Sequence, residues 1–495
     1  MVNSVGSSNP NVKSSIFYVN DVHGQIPKME QITNASMQFD TFVKKSKVDG
    51  LKLCSGDTFI GKDEKTNQTA AAFLQTAGIQ VSTLGNHEFD GSVSKLSKII
   101  TNIKTKFLGM NINLPENSAL NGKIARSTII EENGNKYGII GLQPIDLNKR
   151  IKDKNLLEGV TVDSREQTIK ELQEEVNKLK EQGINKVVLL SHLGNTEEKN
   201  VAKSVSGIDV ILGGHSHDLI EGVKEGTNLF YSPAGEPVVV TQAGRDGHNF
   251  GVLNVEYNEK GQIVQVQNNV LKSADYGKNL LMTTMADKIL GESPVIGKLG
   301  KADPYPKFPL IEENPYASFV ADAVRKEMNV DLVLINAGNF RGCLAPGSIT
   351  ERDISSIFPF KNRLCKVELS EKELIDALNM GGTSLKSPDH KPNILQVSGL
   401  TYTFDKNGKV IEANFLDKNN NPVPINVNNP DPNKKYVTIY DDYMCNGGDG
   451  FKMLKKMDNM LEYYTFDKDK VAADYIKKLN NQPFDIVKDN RIKFS

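Results

Sequence analysis

The sequence lacks several features that would indicate a particular class of protein. It has no tryptophan and only four cysteines, which form no Cys-x-x-Cys pair. A disulfide between Cys343 and Cys365 is left open, because spacing alone cannot establish it. No apolar run reaches the length of about 20 residues that a membrane span requires. The formal net charge of −1 gives no electrostatic reason to expect a nucleic acid or an acidic membrane surface as partner.

The N-terminal region lacks the features of a secretory signal. Residues 1–15 are polar and rich in serine and asparagine, and they contain no apolar segment of the kind that a signal peptide has. We therefore expect residues 1–15 to be a flexible lead-in to the folded chain.

The length of the chain predicts two domains, because one hydrophobic core rarely fills 495 residues. In the first half, short apolar runs alternate with amphipathic segments such as 163–180, which is the pattern of an α/β sheet. A loose stretch at 291–308 is rich in proline and glycine. We assign residues 16–275 to a first domain, 276–308 to a helical linker and 309–495 to a second domain.

Polar clusters follow the apolar runs of the first half. They read VNDVHG, CSGDTF, TLGNHEFD, LLSHLG and ILGGHSHD. The carboxyl ends of strands in an open α/β sheet are where crevices form and ligands bind. Imidazole, carboxylate and amide oxygen together suit paired divalent metals such as Zn, Mn, Fe or Co, so the clusters predict a metal-dependent hydrolase. The candidate ligands are Asp21, His23, Asp57, Asn86, His192, His215 and His217.

A two-metal hydrolytic centre needs one carboxylate that bridges two ions about 3.5–4 Å apart, and Asp57 is the candidate. His217 has the alternative of a solvent-facing turn residue. His87 and Asp90 need not bind metal. A carboxylate partner favours the charged imidazole, which could stabilise charge or donate a proton to a leaving group. The alternative for His87 is a hydrogen-bonding role that only orients the ligands.

The motifs of both halves resemble those of a known family. The DxH, GD, GNHE, SH and GHSH blocks resemble the calcineurin-like metallophosphoesterase superfamily, and NDVHG, GNHEFD and GGHSHD resemble its 5'-nucleotidase branch. In the second half, NAGNFRG, NGGDGF and the terminal NRIKFS are similar to the C-terminal domain of ecto- and periplasmic 5'-nucleotidases. The resemblance implies a four-layer α/β/β/α metallophosphatase domain, a helical linker and an α+β substrate domain. It also implies an extracellular, periplasmic or cell-surface location.

The resemblance also implies a set of site residues and two divalent ions (Zn, Mn or Co). One ion would be held by Asp21, His23, Asp57 and His217, and the other by Asp57, Asn86, His192 and His215. The catalytic dyad would be His87 and Asp90. The substrate would be bound by Asn336, Arg341, Tyr443 and Asp449.

The implied activity is the removal of phosphate from nucleoside 5'-monophosphates such as AMP, by attack of a metal-bound water. The alternatives are a 2',3'-cyclic nucleotide phosphodiesterase/3'-nucleotidase, a nucleotide-sugar or dinucleotide pyrophosphohydrolase, and a non-catalytic nucleoside-binding protein. The sequence departs from the family pattern at two places. Ile394 stands where relatives have a second base-stacking aromatic, and KFPLIEENPYASF lacks an arginine usually found there. We therefore expect weak discrimination between bases.

Overall fold

The computed structural model describes residues 11–60, 63–306, 309–340, 342–358, 362–386 and 393–495. The chain divides into two compact units, residues 1–292 and residues 293–495. The elements of the first unit are, in chain order, β1 (Val12–Val19), α1 (Ile26–Ser46), β2 (Asp49–Cys54), α2 (Glu64–Thr76), β3 (Val81–Thr83), α3 (Val93–Ile100), β4 (Lys106–Leu108), β5 (Ile112–Asn113), β6 (Ile124–Ala125), β7 (Ser127–Glu132), β8 (Asn135–Leu142), α4 (Leu147–Arg150), β9 (Thr161–Val162), α5 (Arg165–Glu181), β10 (Val187–Ser191), α6 (Asn195–Ser204), β11 (Val210–Leu212), β12 (Leu229–Tyr231), β13 (Pro237–Thr241), β14 (Asn249–Tyr257), β15 (Ile263–Lys272) and α7 (Leu280–Leu290).

The first unit is built on two large sheets. One has the strand order β15-β14-β1-β2-β3-β4-β6, and the other has the order β12-β13-β11-β10-β8-β7. The strands from β1 to β4 within the first sheet are parallel, and so are β8, β10, β11 and β13 in the second. The carboxyl ends of the parallel strands therefore lie at one edge of each sheet, where the polar clusters of the sequence follow them.

The apolar runs are continuous because both faces of these sheets are buried. In β1, Ile16 and Tyr18 pack between the two sheets, while Phe17 and Val19 pack against helices α1, α2 and α7. Helices α5 and α6 cover the outer face of the second sheet. The amphipathic segment 163–180 forms helix α5, whose first turn is capped by Ser164, since its hydroxyl accepts a hydrogen bond from the Gln167 N–H at 3.2 Å. The predicted α/β/β/α layering is confirmed.

The second unit also mixes helices and strands. Its elements are β16 (Val295–Ala302), α8 (Pro315–Met328), β17 (Leu332–Asn336), β18 (Gly347–Thr350), α9 (Glu351–Ser356), β19 (Arg363–Ser370), α10 (Glu371–Gly382), β20 (Leu395–Ser398), β21 (Leu400–Phe404), β22 (Val410–Leu416), β23 (Pro422–Pro424), β24 (Lys435–Asp441), α11 (Asp442–Cys445), β25 (Glu462–Asp467), α12 (Lys468–Lys478), β26 (Phe484–Ile486) and β27 (Ile492–Phe494). Its central sheet has the order β20-β17-β24-β19-β25. Helices α8 and α12 pack on one face of this sheet, and α10 with β21 and β22 pack on the other.

The structure corrects two predicted segments. Residues 12–15, assigned to the lead-in, belong to β1 and pair with β14, whereas residues 1–10 lie outside the described residues. The predicted linker at 276–308 is divided between the units, because α7 packs into the first core and β16 pairs with β18 and β26. The proline and glycine residues of this segment led us to predict a linker, but the segment contains strand β16, whose Ile296 and Leu299 are buried.

Two expectations about the whole chain have structural answers. All four cysteines lie among the described residues and none forms a disulfide, so Cys343 and Cys365 are not paired. Interaction with Cys445 and burial raise the pKa of the Cys365 thiol. Within the described ranges, no helix is both long and apolar enough to cross a membrane.

Candidate metal centre

The predicted ligands lie on loops that leave neighbouring parallel strands. Asp21 and His23 follow β1, and Asp57 follows β2. The two loops are joined by backbone hydrogen bonds, from the Asp21 N–H to the Gly56 carbonyl at 3.0 Å and from the His23 N–H to the Asp57 carbonyl at 2.9 Å. Parallel pairing of β1 with β2 therefore places these three side chains together.

Side chains from the second sheet reach the same place. The His192 Nε2 atom, beyond β10, lies 3.0 Å from Asp57 Oδ2, and His23 Nε2 lies 3.5 Å from the same oxygen. His217 Nε2, beyond β11, lies 3.3 Å from Asp21 Oδ1. Among the residues that the structure describes, three groups have potential ligand atoms within 4.8 Å of one another: Asp21 with His23 and His217, His23 with Asp57 and His87, and Asp57 with His192 and His215. Asp57 belongs to two of these groups, as a bridging carboxylate would.

The buried nitrogen and oxygen atoms at this place fit divalent metals. His23 Nδ1 is hydrogen-bonded to Asp246 Oδ1 at 2.9 Å, and His192 Nδ1 to the Ser55 carbonyl at 2.6 Å. The Nε2 atoms of both rings and the Oδ1 atom of Asn86 are buried without a hydrogen-bond partner. Buried polar atoms normally have partners. An imidazole that donates from one nitrogen keeps the lone pair of the other for a metal, so the donor set fits Zn, Mn or Co.

The backbone at these loops adopts a conformation that side chains rarely allow. Among the predicted ligands, φ is 50° at Asp21 and His23, 52° at Asp57, 73° at His215 and 63° at His217. Left-handed conformations cost about 1–3 kcal/mol outside glycine and gather at functional sites. This clustering supports a functional centre independently of the residue types.

A glycine makes the close approach of these loops possible. A Cβ atom on Gly85 would lie 2.1 Å from Asp57 Oδ1 and 2.6 Å from His192 Nε2. Neither atom can move without disturbing the centre. The GNHE segment therefore requires glycine at this position because of packing against two candidate ligands.

The electrostatics of the centre favour a cation. Burial works against the charged form of His192, but the charges of Asp57 and Asp21 outweigh it and raise the pKa of His192 to about 10. Burial would raise the pKa of Asp57, yet interactions with His192 and His23 hold it well below the usual range. Burial and repulsion from His192 lower the pKa of His215 to about 4, so this imidazole is neutral at pH 7. The carboxylates thus create a field that would stabilise divalent ions.

His87 and Asp90 form the pair that the sequence predicts. His87 Nδ1 lies 2.6 Å from Asp90 Oδ2, and the His87 N–H donates to Asp57 Oδ1 at 2.8 Å. Burial opposes protonation of His87, but the hydrogen bond to Asp90 and the negative charges of Asp57 and Asp90 together outweigh it and raise the pKa of the ring. The pair therefore lies beside the candidate bridging carboxylate, with a partly exposed imidazole that can carry a proton.

In the second unit, three of the predicted substrate residues form one hydrogen-bonded cluster. Asn336 Nδ2 donates to Asp449 Oδ2 at 2.7 Å, and the Tyr443 hydroxyl donates to Asp449 Oδ1 at 2.8 Å. The Tyr443 side chain is 42% exposed and can therefore present its ring to a ligand. Ile394 is fully buried and offers no surface for stacking. Arg341 lies outside the described residues.

Comparisons with known proteins agree with this geometry. The family described as "Calcineurin-like phosphoesterase" matches residues 14–219, and "5'-nucleotidase, C-terminal domain" matches residues 295–456. The chain is 27% identical to the 5'-nucleotidase of Mus musculus, over 97% of this chain and 90% of that protein. It is 26% identical to the NAD 5'-nucleotidase of Haemophilus influenzae, over 98% and 93%. The solved 5'-nucleotidase precursor from Thermus thermophilus has a similar fold, with a TM-score of 0.62 and 24% identity over 97% of this chain and 99% of that chain.

The chain belongs to the 5'-nucleotidase family of calcineurin-like phosphoesterases. These phosphoesterases use a dinuclear metal site. In this member of the family, the ligand-like side chains of the first unit have the clustering that such a site requires.

Sequence reasoning missed several residues that support the 5'-nucleotidase centre. Asp246 holds His23, as described above, and Asn20 Nδ2 donates to Asp21 Oδ2 at 2.8 Å. Gln242 Nε2 donates to the Gly214 carbonyl at 3.1 Å, next to His215. Gln242 directly follows the apolar run of β13, and Asp246 lies in the same loop, five residues after the strand ends. This position was the available signal, but by itself it did not distinguish them from ordinary loop residues.

Proposed function

We propose that the protein is a two-metal phosphohydrolase that removes phosphate from nucleoside 5'-monophosphates. The observation that carries this proposal is the shared position of Asp57, whose carboxylate belongs to two groups of candidate ligands. When bound, two divalent ions would activate water as a nucleophile and stabilise negative charge on the phosphate. Asp21, His23, Asp57 and His217 would hold one ion. Asp57, Asn86, His192 and His215 would hold the other.

The residues of the chain have separate roles in this proposal. His23 and His192 are fixed by hydrogen bonds from their outer nitrogens, so they bind with little loss of side-chain freedom. His87, charged by its contact with Asp90, would stabilise the developing charge and donate a proton to the departing nucleoside oxygen. The second unit would bind the nucleoside.

The proposed nucleoside contacts follow from the cluster in the second unit. Tyr443 would stack on the base, which is worth roughly 1–3 kcal/mol and tolerates different bases. Asp449 and Asn336 would accept and donate hydrogen bonds. Arg341 is outside the described residues, and the family resemblance alone is the reason to propose that its planar guanidinium would contact phosphate. Because Ile394 is buried, the base would be held on one side only, and AMP, GMP and UMP should be hydrolysed within about tenfold of one another, or roughly 1.4 kcal/mol.

A dinucleotide pyrophosphohydrolase is the second candidate, because a relative that aligns along nearly the whole chain is an NAD 5'-nucleotidase. Hydrolysis of AMP, 2',3'-cyclic AMP, UDP-glucose and NAD, followed by chromatography of the products and measured with and without EDTA, separates these activities, because only hydrolysis of the monoester AMP releases inorganic phosphate directly. We expect AMP to be the best substrate and EDTA to abolish turnover. Binding of AMP without metal-dependent hydrolysis of any of the four compounds would contradict the proposal and favour a nucleoside-binding protein.

The native metals, the metabolic role and the location of the protein are also proposals. We propose zinc, manganese or cobalt as the native metals, and a role in nucleotide catabolism at an extracellular, periplasmic or cell-surface location. Metal analysis of protein purified from its own cells, together with AMP hydrolysis by intact cells, tests both statements. Activity found only after lysis would contradict the location.

A further inference from the structure

Two buried glutamates lie behind the candidate metal ligands, and the sequence assigned neither of them a role. Glu88 is 5% exposed and Glu198 is fully buried. Neither belongs to a group of potential metal ligands among the described residues. Their carboxylates instead accept hydrogen bonds from the loops on which the candidate ligands lie.

Glu88 holds the loop of the candidate bridging residue. Its Oε2 atom accepts from the Asp57 N–H at 2.9 Å and from the Gly85 N–H at 2.7 Å. Its Oε1 atom accepts from the N–H groups of Thr58 at 2.8 Å and Phe59 at 3.1 Å. Four backbone N–H groups bind one carboxyl group and hold the backbone at four positions. They can therefore offset the cost of the left-handed backbone at Asp57.

Glu198 has a similar role at the loops that follow strands β10 and β11 of the second sheet. Its Oε1 atom accepts from the N–H groups of Gly194 and Gly214, both at 3.2 Å. Its Oε2 atom accepts from Gln242 Nε2 at 2.8 Å. Gly194 lies two residues after His192, and Gly214 directly precedes His215. Glu198 therefore links the loops of two candidate ligands that belong to the same proposed ion.

A feature of the GGHSH loop supports this arrangement. A Cβ atom on Gly213 would lie 2.0 Å from Glu198 Oε2, so the backbone of the loop lies directly against the carboxylate. The two glutamates differ in what they hold. Glu88 contacts the segment of the residue proposed to be shared by both ions. The backbone N–H groups that Glu198 accepts from lie nearest in the chain to His192 and His215, ligands of one proposed ion, and His217 of the other ion follows His215 two residues later in the same loop.

We infer that Glu88 and Glu198 are positioning residues that set the two metal sites separately, Glu88 acting on both ions through Asp57 and Glu198 on the ion of His192 and His215. This inference rests on the metal ligands of the proposed function. Loss of a group that orients metal ligands typically lowers metal affinity by about 10–100-fold. Glu198→Gln should therefore lower the affinity for one of the two ions, and Glu88→Gln should lower the affinity for both.

The test is calorimetric titration of the full-length, chelator-treated protein with Mn²⁺, without nucleotide. Glu175→Gln is the matched control, since Glu175 is a buried glutamate of the first unit that accepts from the Ser127 hydroxyl at 2.6 Å and contacts no candidate ligand. We expect two Mn²⁺ ions per wild-type chain and the same affinities in the control. A general loss of stability would lower the Mn²⁺ affinity of both sites equally in every variant. A loss of affinity at one site only in Glu198→Gln therefore distinguishes positioning of the ligands from a merely structural role.

Unchanged Mn²⁺ affinities in both variants would overturn the inference, and so would equal weakening of both ions by Glu198→Gln. If Glu88→Gln does not fold, Glu88→Asp keeps the charge but shortens the side chain, and the Glu198→Gln titration still decides. The experiment is independent of activity. A wild-type protein that binds two Mn²⁺ ions but hydrolyses no nucleotide would contradict the proposed function and leave this inference standing. A wild-type protein that binds no Mn²⁺ would overturn both.

Discussion

Replacement of Asp246 by asparagine tests how strongly the structure prepares His23 for metal binding. Asp246 Oδ1 lies 2.9 Å from His23 Nδ1, and both residues are buried. Although burial works against its charge, the hydrogen bond from His23 holds the pKa of Asp246 well below its usual range, so the group is an anion at working pH. Asparagine keeps the shape of the side chain and removes the charge.

The expected loss can be worked out from this contact. An asparagine can accept the same hydrogen bond, but it no longer increases the basicity of the ring, and its amide can instead donate to Nδ1. In that orientation the ring proton moves to Nε2 and blocks metal binding. Loss of such an orienting carboxylate typically costs 10–100-fold in metal affinity, or about 1.4–2.8 kcal/mol. The change should be largest for the ion proposed to bind His23.

The assay is Mn²⁺ titration by calorimetry, followed by AMP hydrolysis at increasing Mn²⁺ concentration. We expect activity of Asp246→Asn to recover when Mn²⁺ is raised by the same factor as the affinity falls. Asp275→Asn is the control, because Asp275 is an exposed aspartate of the same unit. Equal Mn²⁺ affinity in Asp246→Asn and wild type would refute the claim that Asp246 prepares His23.

Three further substitutions test other parts of the site. Asp90→Asn removes the negative charge of the group whose interaction raises the pKa of His87, so the alkaline limb of the kcat–pH profile should move to lower pH; an unmoved limb would exclude His87 as the acid. Tyr443→Ala should raise KM for AMP but not for p-nitrophenyl phosphate, whereas Tyr463→Ala, also an exposed tyrosine, should change neither; equal losses on both substrates would make Tyr443 structural. Gly85→Ala should abolish Mn²⁺ binding because its Cβ would clash with Asp57, and normal binding would contradict the described packing.

The sequence predicted the first unit well because its signals are local. Buried parallel strands produce continuous apolar runs, and each run is followed by the polar residues that its carboxyl end presents. The chain order of the clusters therefore indicated which side chains meet. The residue types at Asp21, His23 and Asp57 then indicated their chemistry.

The missed features depend on contacts between distant segments. Glu88 stands next to His87 in the chain, but its hydrogen bonds run to a loop about thirty residues earlier, and no local pattern specifies them. Asp246 is separated from His23 by most of the first unit. Strand β16 was not predicted because the proline and glycine residues around it indicate a linker, and its pairing with β18 depends on a segment about fifty residues later in the chain.

The central claim is that Asp57 joins two metal ions in one hydrolytic centre. Its most direct test is the metal content of wild-type and Asp57→Asn protein, measured by mass spectrometry after equilibration with Mn²⁺, together with the rate of AMP hydrolysis. The account predicts two ions per wild-type chain, fewer in the variant and no turnover by it. An Asp57→Asn protein that keeps two ions and hydrolyses AMP at a near-normal rate would contradict it.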